Sequence, residues 1–147
     1  MIERLLSLFR DEQKRPAPHH INLACAALLA EVMRADHSID AEEEQALALV
    51  LKNLFNLNSS ECSELLQDAL QRVETSSDLF QFTAVINQQL DAAAKFRLIK
   101  GLWQVAYSSN GLDKYEEHLI RKISDLIYVS HRDFIRTKHS ARSGAAD

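Results

Sequence analysis

The sequence predicts an all-α domain, and three observations carry that reading. Glycine and proline are scarce, at 3 and 2 residues, while the helix formers Leu, Ala, Glu, Gln and Lys are abundant. Apolar residues recur at i, i+3, i+4 and i+7 in segment after segment. A turn followed by an amphipathic helix occurs twice, at an offset of 73 residues. A chain of 147 residues is the usual length of one domain and buries a core without help from a disulfide or structural metal. We therefore expect a single compact bundle of about seven or eight helices containing an internal pseudo-twofold helical-hairpin repeat.

The elements follow in order. Ile2, Leu5, Leu6 and Phe9 fall on one face of a short first helix, placed within residues 1–15 and expected to fold back on the core. Residues 15–20, RPAPHH, should interrupt it, because the residue before each proline is pushed out of helical space. INLACAALLAEVM is apolar almost all round, the mark of a central helix buried on more than one side. From Asp40 onward, Leu47, Val50, Leu51, Leu54 and Phe55 give one apolar face and one polar one. Asn58 or Ser59 can cap the next helix, with its stripe of Leu65, Leu66, Ala69, Leu70 and Val73.

TSSD at 75–78 breaks the chain before Leu79, Phe82, Val85, Ile86 and Leu90. A second central helix is expected over about 91–108, directing Phe96, Ile99, Leu102, Trp103, Val105 and Ala106 inward. SNGLD at 109–113 ends it. Leu119, Ile120, Ile123, Leu126 and Ile127 then make a clean stripe, and Ser130 starts a last short helix with Phe134 and Ile135. The domain proper is thus expected over 20–138, and residues 139–147 offer so little to bury that a disordered tail is expected there.

The net charge of −4 is unevenly distributed. Residues 31–91 hold twelve acids against Arg34, Lys52 and Arg72, a net −9, while residues 92–147 hold six acids against ten bases, a net +4. A two-signed surface argues against nonspecific nucleic-acid binding, which wants a broad basic face, and favours docking to another protein. Cys25 and Cys62 have no metal or redox spacing and read as buried thiols, in keeping with a reducing cytoplasm. MIERLLSLFR, with Glu3 and Arg4, has the pattern of neither a signal peptide nor a membrane span.

The 73-residue offset lays Asp36-His37-Ser38-Ile39-Asp40-Ala41-Glu42-Glu43-Glu44 over Ser109-Asn110-Gly111-Leu112-Asp113-Lys114-Tyr115-Glu116-Glu117. Core positions match as well: Leu29 with Leu102, Val32 with Val105, Met33 with Ala106, Leu47 with Ile120 and Val50 with Ile123. Asp40 with Glu43, and Asp113 with Glu116, have the spacing of capping boxes, so helix punctuation accounts for them. Two functional readings stand beside that one. Asp36, Asp40, Glu43, Asp113 and Glu116 could converge on a divalent cation, although an EF-hand is excluded because Ala41 and Leu47 occupy its turn-glycine and last-ligand positions. Alternatively Asp36, Asp40, Glu42, Glu43 and Glu44 form an acidic surface that docks a basic partner.

A helical repeat with D-G-x-I-D-x-x-E at its turn resembles the tellurite-resistance TerB-like family. Here the pattern reads Asp36-His37-Ser38-Ile39-Asp40 with Glu43, then Ser109-Asn110-Gly111-Leu112-Asp113 with Glu116, over about residues 20–130. His37 stands where the family favours glycine, and Ser109 where it favours aspartate. The resemblance implies a compact all-α domain acting as a metal-sensing or scaffolding module beside membrane-associated partners in bacterial stress responses. The same domain type occurs fused to J-domain co-chaperones.

No Gly-rich phosphate loop, GxSxG elbow or Cys/His nucleophile pair is present, and the six histidines lack HxxxH or HExxH spacing. His37, between Asp36 and Asp40, is the one whose protonated form its neighbours would favour. The expectation is a noncatalytic module with no catalytic residue and no cofactor beyond a divalent cation.

Overall fold

The computed structural model describes residues 17–34, 41–75, 78–108 and 114–142. Seven helices and no strand occur among them: α1 (Ala17–Met33), α2 (Ala41–Phe55), α3 (Ser59–Thr75), α4 (Phe80–Gln89), α5 (Ala92–Tyr107), α6 (Lys114–Leu126) and α7 (His131–Arg142). The helix expected within residues 1–15 lies outside the described residues.

α1 is the central helix that its composition predicts. Every residue from Ala24 to Ala30 is buried, and α1 packs against α2, α3, α4, α5 and α6. Alanines at 24, 26, 27 and 30 keep its surface low, so neighbouring helices approach on several sides. Its start differs from expectation. The helix begins at Ala17, so Pro18, His19 and His20 belong to it rather than to a linker. Proline is tolerated there because the first-turn N–H groups have no intrahelical acceptor to lose.

The connections obey local chemistry. α2 ends at Asn56, whose φ of 54° is a left-handed conformation that asparagine accepts more readily than most residues. Asn58 then opens α3 with a reciprocal capping box: its Oδ1 accepts from Glu61 N–H at 2.8 Å, and its own N–H donates to Glu61 Oε1 at 3.1 Å. Asp78 Oδ1 accepts from Phe80 N–H at 2.9 Å, and Asp91 caps α5 by accepting from Ala94 N–H at 2.8 Å. After α6, Val129 N–H reaches Ser124 O and Tyr128 N–H reaches Asp125 O, a Schellman closure with Tyr128 at φ 61°. Ser130 Oγ accepts from Asp133 N–H at 3.2 Å and starts α7.

α5 is the second central element and packs against α1, α2, α6 and α7. Gly101 faces Val50 and Leu54 of α2 and Leu29 of α1. A methyl there would lie 3.1 Å from Val50 Cγ1 and 3.3 Å from Leu54 Cδ1. Glycine in mid-helix costs about 1 kcal/mol relative to alanine, and here it leaves room for the side-chain ends of Val50 and Leu54. Gly101→Ala should be near neutral in urea denaturation, since two methyl ends must yield only slightly. Gly101→Leu should lose about 1–3 kcal/mol by overpacking.

α7 closes the bundle over α5. Trp103 is fully buried, stacks on Tyr107 with ring centroids 5.9 Å apart, and meets Phe134 of α7 at 5.3 Å. The basic residues around it are turned to structural use: Lys138 Nζ lies 5.3 Å from the Trp103 ring centroid and 3.0 Å from Glu117 Oε1, and the Arg121 and Arg136 guanidiniums cover Phe134 and Phe96. The helix runs to Arg142, with Ala141 packed against the core. The tail expected from residue 139 is thus helical through 142, because the 3.6-residue period continues the stripe of Phe134 and Thr137 onto Ala141.

Candidate functional site

Two helices begin immediately after the two acidic stretches of the sequence. α2 starts one residue after Asp40, and α6 one residue after Asp113. Asp36, Asp40, Asp113, His37 and the expected staple residues Ile39 and Leu112 themselves lie outside the described residues. What the structure does place is the next turn. Glu43 and Glu116 occupy the third position of α2 and of α6, and they are buried, at 3% and 1% exposure. Helical periodicity causes this: Glu43 shares a face with Leu47 and Val50, and Glu116 with Ile120 and Ile123. Every core pair aligned by the 73-residue offset is buried in both members, from Leu29 and Leu102 to Val50 and Ile123.

The acidic run of α2 therefore divides by face. Glu42 is exposed, Glu44 is half-buried, and Glu43 belongs to the interior. A partner that approaches α2 from solvent meets Glu42 and Glu44, so Glu43 leaves the contact set expected for docking. All three sit beside the positive end of the helix, where negative charge is favoured.

A third buried charge was not anticipated. Lys100 of α5 is 3% exposed and is the one buried cation among the described residues. Its helix packs against both α2 and α6, which carry the two buried glutamates, and Glu43, Lys100 and Glu116 each engage an interaction. The signal was present in the sequence: Lys100 falls at i+4 from Phe96 and beside Ile99 and Trp103, on an otherwise apolar stripe. Among the described residues no three His, Cys, Asp or Glu side chains come together as a metal site. Only Glu43 and Glu116 of the five expected ligands belong to those residues.

Three further titratable groups are perturbed. Burial pushes the Cys25 thiol up to about 12, and Cys62, also buried, is raised by desolvation with Lys52 opposing and Glu61 adding to the shift. Neither thiol is disulfide-bonded. Half-buried Glu31, in the last turns of α1, has its carboxyl raised by desolvation, with Arg34 opposing. The native state thus holds that proton at a pH where the unfolded chain has released it, so stability falls as pH rises through the native value. Glu31→Gln should raise the melting temperature at about pH 7.5, and the gain should shrink as the pH is lowered toward about 4.5. A gain that grows at low pH would contradict this sign.

The architecture so defined is a helical domain with two central helices and an inward carboxylate in the first turn of two flanking ones. The chain belongs to the TerB family: the family described as Tellurite resistance protein TerB matches residues 22–139, nearly the whole described structure. No curated protein and no solved structure matches the chain significantly. No helix of the described residues is long and apolar enough to cross a membrane.

Proposed function

We propose that this TerB-family domain is a noncatalytic docking module of a bacterial stress-response type, working in the cytoplasm, that presents the acidic surface around Glu42 and Glu44 to a basic, membrane-associated protein. The observation that carries the reading is the division of the α2 carboxylates. Glu42 and Glu44 remain accessible while Glu43 is committed to the interior, so charge is held at the surface by a helix anchored from beneath. The uneven charge of the sequence supports the same reading, because α2 and α3 carry seven carboxylates against Lys52 and Arg72. Association should be salt-sensitive and should be lost when Glu42 and Glu44 are both changed to lysine. Identical pull-down profiles for wild type and variant at about 50 and about 300 mM salt would refute it.

A second reading is favoured by the matched burial of Glu43 and Glu116. Two inward carboxylates, each three residues beyond an aspartate, suit a site in which Asp36, Asp40, Glu43, Asp113 and Glu116 hold a divalent cation. Calorimetric titration with calcium, magnesium, manganese and zinc should give heat with wild type that Asp40→Asn with Asp113→Asn removes. Absence of heat in wild type would end this reading.

A further inference from the structure

α2 presents a second face to an open groove that it shares with α3. Its core stripe consists of Glu43, Leu47, Val50 and Leu51. Displaced around the helix from it, Ala41, Glu44, Ala48, Leu49 and Lys52 follow one another at helical intervals and form one wall of an open groove of about 520 Å³. α3 supplies the other wall, where the buried Cys62 and Leu66 make an apolar floor. Leu49 is 58% exposed within this concavity. One exposed leucine is ordinary on a protein surface. A leucine beside Ala48, flanked along the helix by Gln45 and Lys52, in a groove the length of about three helical turns, or ~16 Å, is a geometry that accepts another helix.

Charge selects the occupant. Glu44 lies toward one end of the α2 wall and Lys52 toward the other, while exposed Glu42, Glu61 and Glu64 on the same two helices make the surroundings acidic. We propose that the groove between α2 and α3 seats a basic amphipathic helix of a partner protein. Its aliphatic side chains pack over Ala48 and Leu49, its Lys or Arg residues face Glu44, and its carboxyl-terminal end lies toward Lys52. This rests on the acidic-docking reading and deepens it, because an apolar contact now accompanies the charge.

The test uses the full chain and a fluorescein-labelled synthetic Leu/Lys peptide of about four helical turns, followed by anisotropy. A peptide of equal composition, scrambled to abolish the apolar face, is the control. Leu49→Asp adds negative charge, so purely electrostatic binding of a cation would tighten. The proposal instead expects at least about tenfold weakening by Leu49→Asp, weakening by Glu44→Lys, and poor binding of the scramble. Ala48→Glu is the second variant should Leu49→Asp fail to fold by circular dichroism.

Equal binding of both peptides, or tighter binding by Leu49→Asp, overturns the groove while leaving acidic docking intact. Absence of binding by either peptide also overturns the groove. Acidic docking fails separately, if the Glu42 and Glu44 reversal leaves the pull-down unchanged. Self-association in sedimentation that Leu49→Asp abolishes would assign the groove to a second copy and overturn the partner-helix proposal.

Discussion

Trp103→Ala should lower the unfolding free energy by about 3–5 kcal/mol, the range for deleting a large aromatic side chain from a packed interior. For a domain whose total stability is of order 5–15 kcal/mol, that is enough to leave a substantial unfolded fraction. The indole joins α5 to α7: it stacks on Tyr107, meets Phe134, and lies beneath Lys138. Its truncation therefore removes one side of the α5/α7 contact and leaves a cavity under the closing helix. Trp103→Phe should cost much less, because the ring contacts persist and the buried indole N–H finds no hydrogen-bond acceptor among the described residues. Urea denaturation followed by circular dichroism separates the two variants. Equal losses for both would mean that the indole's specific shape, not its burial, carries the contact. As the single tryptophan, its fluorescence in wild type should report undocking of α7.

Lys100→Met should be of comparable size, about 3–5 kcal/mol, for a different reason. Methionine fits the volume and keeps the apolar contacts of the lysine stem, so the loss is electrostatic. Lys100 sits on the helix that packs against both glutamate-bearing helices, so its removal is expected to take from Glu43 and Glu116 the one buried positive charge among the described residues. A carboxylate taken from water without compensation is far more costly than an intact buried pair. Combining Lys100→Met with Glu43→Gln and Glu116→Gln should recover a large part of the loss, because the uncompensated charges go with it. The check is a mutant cycle in urea denaturation. Strict additivity would show that Lys100 and the glutamates do not interact.

Both effects concern residues of α5, and the second bears on function through the buried glutamate of α2. Glu42 and Glu44 are held at the surface by a helix whose first turn is anchored by Glu43. Loosening that anchor should blur the acidic surface without changing its charge. A stabilised Glu31→Gln protein should dock as wild type does, since Glu31 belongs to α1 and not to the docking surface.

Much of this molecule was legible in its sequence. The two central helices, the amphipathic stripes and the breaks between them follow from the 3.6-residue period and from Asn58, Asp78, Asp91 and Ser130, whose side chains satisfy N–H groups locally. The start of α1 was misplaced because proline opposes a helix only beyond its first turn, and periodicity alone does not locate that turn. The extension of α7 to Arg142 was missed because SAR carries one small apolar residue, whose value depends on what lies opposite it.

The sealing of charged residues belonged to the tertiary structure. Glu42, Glu43 and Glu44 are chemically alike in the chain; the helical period puts Glu43 on the face of Leu47 and Val50, and the packing of α2 decides how completely that face is sealed. The helical period puts Lys100 on the apolar stripe of α5, but which charges lie opposite it is decided only when α2 and α6 flank that helix. The groove likewise exists only between α2 and α3, from a stripe of α2 too weakly apolar to announce itself. Local sequence decided where helices begin and which face is oily, because those are interactions across a few residues. Which charges are sealed in, and which concavity stays open, depended on helices distant in sequence coming together, because burial is a property of neighbours that one segment does not contain.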